Sequence, residues 1–368
     1  MHDLYHLSGD NTRITFTLDE ALFYMQHTGY TVKDDTAIFL GGPFNKWLPE
    51  PDPAWKLPPE KPEKKWMLRI KTDLIRTPGN SGYPEFNFIF FDDDGIRRNL
   101  VSKEESDFAC SFLENYAVLF PEDDRLFFEE KKRKAEYIKT LRDFNLKNAQ
   151  DRMVISNFRK VLGAEGLFRS YHPYKKSFRQ FETEDSRSAI VKELMEETGI
   201  ASVVCLSGEE KALEANGETI SVYHKQLIDK GNVYFTDTSY EDAYFDSAGK
   251  RFSAVFADIV RFIGTHEAPV LVHCRLGSDR TGVVCALLAA LCGVPWREIA
   301  EDYKKTSDTG IGQFRDSPLL RYSLEKILGK TLTETGDHSQ DFAGFYITGG
   351  YLTQKNIALL RTKLCQTE

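Results

Sequence analysis

Excess basic charge, clustered cysteines, long apolar runs and spaced histidines are all missing from this chain of 368 residues. Its formal net charge is −8 and its pI about 5.6. That balance argues against a partner such as nucleic acid or an anionic membrane. No apolar run approaches the roughly 18 residues that cross a bilayer; the longest, around Val283–Leu291, has the length of a buried helix, so no transmembrane segment is expected. The opening MHDLYHLSGD lacks a basic n-region and an apolar h-region, so no secretory signal is expected. Six cysteines without a C-x-x-C pair are too sparse for a disulfide scaffold. They read as thiols in a reducing cytoplasm. The eight histidines have no ligand spacing, so no metal is expected.

What is present is ordinary in amount and uneven in place. Hydrophobic residues make up 41% and charged residues 28%, which is globular composition for about two domains. Trp47, Trp55 and Trp66 stand close together in a stretch that also holds half of the 14 prolines. Residues 1–107 are β-rich. Thr12–Leu18, Ala37–Leu40, Trp66–Ile70 and Phe86–Phe91 carry β-branched and aromatic residues between Gly, Pro and Asp turns, which suggests a small sandwich. Thr17–Tyr24 could instead begin a short helix. Residues 108–148 mix an amphipathic run with paired acids and bases, and read as a helical linker.

Residues 149–368 form the third segment. From Asp151 the pattern is α/β. Ser186–Gly199 reads as a helix with a glycine stop. Ile200–Leu206 and Pro269–His273 read as buried strands. Phe252–Ile263 has helical periodicity. Thr281–Cys292 is apolar nearly all round and so lies inside the domain. Trp296–Lys305 and Pro318–Leu328 read as further helices. Alternation of this kind implies a central sheet flanked by helices.

The chemistry concentrates in PVLVHCRLGSDRTG, Pro269–Gly282. A buried strand ends at His273-Cys274; five residues later Arg280-Thr281-Gly282 opens a buried helix. A helix N-terminus adds partial positive charge, and Arg280 a full one. A thiol there loses its proton readily. The same loop can cradle a tetrahedral dianion, and Arg280 can hold two of its oxygens as a fork.

HCRLGSDRTG resembles the signature loop of cysteine-dependent protein tyrosine and dual-specificity phosphatases. Asn157-Phe158-Arg159 and Phe168-Arg169-Ser170 resemble the opening of the bacterial tyrosine phosphatases of this class, and Gly310–Asp316 resembles part of their tail. The resemblance implies Cys274 as nucleophile, forming a phosphocysteine, and Arg280 as phosphate clamp. It makes Arg275, Leu276, Gly277, Ser278, Asp279, Arg280 and Thr281 the phosphate-binding loop. Thr281 would assist the leaving thiol and His273 would orient the loop. No cofactor is implied. The family's general acid is an Asp about 30 residues before the cysteine. Asp237, Asp242 and Asp246 qualify, spacing favouring Asp242 and the end of the preceding strand Asp237; Asp279 is a fourth candidate. An Asp before the Arg also resembles the loops of phosphoinositide and inositol-phosphate phosphatases, but Ser278 stands where those carry Lys. Lys175, Lys176 and Arg179 could add positive charge at the mouth.

The N-terminal segment resembles the glycogen-binding module of AMP-activated kinase β subunits and of branching enzymes, through Gly42–Trp47, Trp66–Ile70 and Phe88–Gly95. That implies an immunoglobulin-like early-set sandwich. Trp47 matches one sugar platform. The second platform and the supporting lysine, expected near Ile96–Arg98 and Asn87, have no counterpart. Glycan binding is therefore possible by resemblance, with a scaffold role the plainer expectation. The expected molecule is an α/β phosphatase domain preceded by an all-β sandwich. It would hydrolyse phosphate monoesters of a protein or a small molecule. The alternatives are a phosphoinositide, inositol-phosphate or glucan phosphatase, arsenate reduction, and a phosphate-binding adaptor.

Overall fold

The computed structural model describes residues 4–19, 23–25, 36–60, 65–76, 84–93, 95, 97–102, 109–110, 115–120, 125–126, 129–130, 133, 137–174, 182–208, 220–311, 315 and 317–365. Contacts divide the chain into two units, Met1–Glu136 and Tyr137–Glu368.

The first unit is built of strands: β1 (Tyr5–Leu7), β2 (Arg13–Asp19), β3 (Phe23–Met25), β4 (Ile38–Gly41), β5 (Lys56–Leu57), β6 (Pro59–Glu60), β7 (Lys65–Lys71), β8 (Glu85–Phe91), β9 (Arg97–Ser102), β10 (Ala109–Cys110) and β11 (Asn115–Ala117). One sheet runs β1-β2-β7-β6. The other runs β10-β11-β8-β4-β5, with β9 beside β8 and β3 beside β9. Period-two alternation decides which side chains go inward. Ile14, Phe16 and Leu18 of β2 meet Phe86, Phe88 and Phe90 of β8 in one core with Ile38, Leu40, Trp66 and Leu100. Each such side chain contributes roughly 1.5–3 kcal/mol when fully buried. Ile89, on the opposite face of β8, packs in a smaller cluster with Phe39 and Leu48.

Two local expectations change here. Thr17–Asp19 is strand and Phe23–Met25 is strand, where a helix start was expected; β2 is held in a seven-residue antiparallel register against β7, and that pairing overrides the local propensity. In the segment read as a helical linker, β11 pairs with β8, and Tyr116 and Val118 enter the core. Arg125–Leu126, Glu129–Glu130 and Arg133 of the same segment are helical.

Among the described residues, the second unit has five strands: β12 (Arg159–Lys160), β13 (Leu167–Ser170), β14 (Ser202–Cys205), β15 (Val233–Phe235) and β16 (Val270–His273). Their order is β12-β13-β16-β14-β15. All but β12 are parallel. Its helices are α1 (Ala149–Ile155), α2 (Glu184–Thr198), α3 (Val222–Asp229), α4 (Tyr240–Phe245), α5 (Lys250–Thr265), α6 (Asp279–Leu291), α7 (Trp296–Lys304), α8 (Pro318–Leu328), α9 (Ser339–Thr348) and α10 (Gln354–Leu364). Helix α2 stops where Gly199 turns left-handed at φ 68°. Strand β16 is buried throughout, as an apolar central strand of a parallel sheet must be. Helix α6 is buried from Thr281 to Leu291.

The all-thiol expectation is corrected. Cys292 and Cys365 form a disulfide, with Cα atoms 5.7 Å apart. They close the C-terminal ends of α6 and α10. Their 73-residue separation carries no motif; only the meeting of the two helix ends pairs them. Cys205, Cys274 and Cys285 are buried thiols. Among the described residues, no helix is long and apolar enough to cross a membrane.

Candidate active site

The site grows from the carboxyl edge of the parallel sheet, where open α/β folds gather their ligands. Ser170 of β13, His273 of β16 and Cys205 of β14 stand in one row across three neighbouring strands. The chain leaves β16 at His273 and enters α6 at Asp279, so residues 274–278 must turn within one short loop. Gly277 makes the turn possible. Its φ is +66°, and a Cβ would lie 2.1 Å from the Ser170 carbonyl oxygen. No other residue type fits there.

Four loop carbonyls are held from behind. The Arg275 carbonyl accepts from His172 N at 3.2 Å. Those of Leu276 and Gly277 accept from Asn157 Nδ2 at 3.4 and 2.9 Å. Gly277 and Ser278 accept from Arg169 Nη2 at 2.8 and 3.4 Å. A trans peptide carries its N–H opposite its C=O. The N–H groups that follow these carbonyls therefore turn to the other side of the loop.

Arg169 and Asn157 are fixed in turn. Arg169 Nη1 donates to Asp302 Oδ2 at 2.8 Å, and Arg159 Nε donates to Asp302 Oδ1 at 2.9 Å. Arg159 also donates to Asn157 Oδ1. Arg169 is 1% exposed and Asp302 3%. Burial alone would raise the Asp302 pKa; the two guanidiniums outweigh it and hold the carboxyl below its ordinary value. The two short motifs that the sequence marked, Asn157–Arg159 and Phe168–Ser170, thus meet at the back of the loop. Asp302 was missed. Its only signal is an acid on the buried face of α7, beside Trp296, Ile299 and Tyr303.

Cys274 is 2% exposed. Burial raises its pKa, but Arg280 and the hydroxyl and N–H of Thr281 outweigh burial, and the net direction is down. Arg280 Nη1 donates to the carbonyls of Leu206 and Thr238 at 3.0 and 3.2 Å. His273 is held neutral: burial drops its pKa to about 4.

The four candidate acids separate. Asp237 Oδ1 lies 3.8 Å from Arg280 Nη1, with its side chain 77% exposed. Asp279 is bound to Arg315 at 2.8 Å and to the Tyr244 hydroxyl at 3.3 Å. Asp242, on α4, pairs with Arg251 of α5 at 3.4 Å. Asp246 lies against Gly249. Lys175, Lys176 and Arg179 lie outside the described residues, as do Asp316 and much of its segment; Arg315 of that segment reaches Asp279.

In the first unit, Trp66 is buried. Trp55 packs on Phe44 with ring centroids 5.1 Å apart, so it belongs to the core edge. Trp47 is half-buried, at the end of a turn in which Lys46, Trp47 and Leu48 all have positive φ.

Comparison with known proteins bears on the second unit. The model of the tyrosine phosphatase family matches residues 154–366. A tyrosine-protein phosphatase of Nostoc commune is 36% identical over 81 residues, which is 22% of this chain and 26% of that protein. This chain thus spans about a quarter of that relative's length. A crystal structure of a Neisseria meningitidis protein described as a phosphatase is similar at 19% identity and a TM-score of 0.24, over 39% of this chain and 84% of that one. With the family match covering more than half of its residues, the chain belongs to the tyrosine phosphatase family.

Proposed function

We propose that the second unit hydrolyses phosphate monoesters through a phosphocysteine on Cys274. The observation that carries this is the loop itself: a buried thiol with a lowered pKa beside Arg280, at the base of a turn whose N–H groups face away from Arg169 and Asn157. A phosphoryl dianion placed against those N–H groups gains several charge-assisted hydrogen bonds. Arg280 then neutralises charge on the equatorial oxygens as the P–O bond breaks. The Cys274 thiolate attacks phosphorus, the alcohol or phenol departs, and water frees the thiolate with release of phosphate.

Geometry favours Asp237 as the acid that protonates the leaving oxygen. It is the one candidate carboxylate that is exposed and also beside Arg280. Asp279 is engaged by Arg315 and Tyr244, and acts in this reading by holding the loop. Phosphotyrosine or dual specificity is the reading the family supports, and the reaction needs Cys274 itself in the reduced state.

The test is turnover of p-nitrophenyl phosphate between about pH 5 and 8 in reductant. Cys274→Ser is expected to lose at least about 10³-fold, and Arg280→Lys about 10²-fold or more. An inactive wild type, or an active Cys274→Ser, overturns the proposal. Asp237→Asn is expected to slow phosphotyrosine peptide more than p-nitrophenyl phosphate, because nitrophenolate departs without a proton. Equal slowing of the two substrates would remove Asp237 from that role.

A further inference from the structure

Three buried donors converge behind the catalytic loop, from parts of the chain with no common motif. His273 ends β16 and Cys205 ends β14, in register, so their side chains leave the same face of the sheet. His172 lies two residues beyond Ser170, the β13 residue paired with His273. One donor atom from each of His172, Cys205 and His273 lies within 4.8 Å of the other two. None of the three residues is more than 2% exposed.

The hydrogen bonding of His273 is that of a ligand in waiting. Its Nδ1 is 3.4 Å from the Cys274 carbonyl, which can only accept, so Nδ1 carries the proton. Nε2 is then a buried lone-pair nitrogen that has no hydrogen-bond partner among the described residues. A ring that donates one N–H to a carbonyl and offers the other nitrogen is how metal-bound histidines are oriented. For His172, coordination gives up the bond that Nδ1 accepts from Tyr174 N at 3.0 Å. Two imidazoles and a thiol, with no carboxylate, select zinc over magnesium or calcium.

We propose that His172, Cys205 and His273 form a zinc site behind the catalytic loop, and that zinc binding reversibly inhibits the enzyme; the inhibitory part rests on the phosphatase reading above. The Cys205 thiol loses its proton to solvent as the sulfur–zinc bond forms, and three protein donors leave one position of a tetrahedral ion for water. Inhibition follows from size. Zinc–nitrogen bonds of about 2.0 Å and a zinc–sulfur bond of about 2.3 Å put donors roughly 3.3–3.7 Å apart. Closing from as much as 4.8 Å draws His273 inward. The next residue is Cys274, where a displacement of about 1 Å can cost 10²-fold in rate.

Zinc binding is measured first on full-length Cys274→Ser protein, which has no nucleophile to compete for the ion. Equilibrium dialysis against Zn²⁺ is expected to give one tight ion per chain and a zinc-dependent rise in melting temperature. Adding Cys205→Ser is expected to weaken that binding by about 10²-fold or more. Magnesium and calcium are expected to bind nowhere at similar concentrations. In the otherwise wild-type enzyme, Zn²⁺ is expected to inhibit and a chelator to restore turnover. Cys205→Ser alone is expected to keep turnover within about twofold and to lose the inhibition. Zinc binding unchanged by Cys205→Ser, or inhibition of Cys205→Ser at the same zinc concentration, overturns the site and puts the ion elsewhere, Cys274 included. The dialysis arm needs no turnover, so its failure is distinct from failure of the phosphatase reading.

Discussion

At the scale of single residues, the Cys274–Arg280 loop depends on groups that lie behind it. Asp302 binds both Arg159 and Arg169, and through them Asn157 and the Gly277 carbonyl. Removing one partner from a buried ion pair leaves an uncompensated charge and costs about 3–5 kcal/mol. Asp302→Asn is therefore expected to lower unfolding free energy by that order and to release Arg169 from the loop. A denaturant titration reads the first effect. The second should appear as a fall in kcat with a smaller change in KM, since the loop would hold the transition state less well. Gly277→Ala is a sharper case. Its Cβ would meet the Ser170 carbonyl at 2.1 Å, backbone against backbone. Loss of turnover is expected there even where circular dichroism shows the helices intact.

At the scale of elements, α3 brings a buried histidine into the second unit. His224 is 1% exposed, and neither ring nitrogen has a hydrogen-bond partner among the described residues. Burial first, then nearby His273, lowers its pKa to about 3. Unfolded, it would titrate near 6.5. Between these values the unfolded chain binds a proton that the folded chain refuses, so stability falls as pH drops below about 6.5. The slope is roughly 1.4 kcal/mol per pH unit for this group. His224→Phe, which keeps the ring packing against Tyr174, is expected to flatten that part of the curve. Denaturant midpoints at pH 7 and pH 5 for both proteins check it; an unchanged slope would mean that the acid loss comes from other groups.

At the scale of the whole molecule, each unit has its own apolar core. Phe16, Phe86 and Phe88 anchor the first, and Ile155, Val203 and Leu271 belong to the second. Residues 137–368 alone are expected to fold and to turn over p-nitrophenyl phosphate within about threefold of the full chain, as an autonomous core allows. A truncated protein that is soluble and folded by circular dichroism but inactive would show that catalysis needs the first unit.

Much of this was legible from the chain itself. Local chemistry is written locally: the Cys274–Arg280 spacing, the glycine at 277, the apolar strand before and the apolar helix after need only neighbouring residues. The long α5 periodicity and the alternating Phe86, Phe88 and Phe90 are of the same kind. Elements whose character is set by distant partners were less legible. Thr17–Asp19 is strand because β7 lies beside it. The first turn of α1 is fixed by Asn148 Oδ1, which accepts from Gln150 and Asp151 N, and a cap over one short helix gives little periodicity to read.

The sequence by itself determined the turn between β16 and α6 and the thiol and guanidinium it carries, because its geometry follows from a few consecutive residues. Tertiary structure decided everything that joins residues far apart in the chain. It set Asp302 behind the loop, and Asp237 rather than Asp242 beside Arg280. It joined Cys292 to Cys365. It also gathered His172, Cys205 and His273, histidines and a thiol that looked scattered, into one buried cluster. The physical reason is tertiary packing, which for the cluster at the strand ends takes a particular form. In a parallel sheet, strands distant in sequence end side by side, and what their last residues do together is set by register, which no single segment encodes.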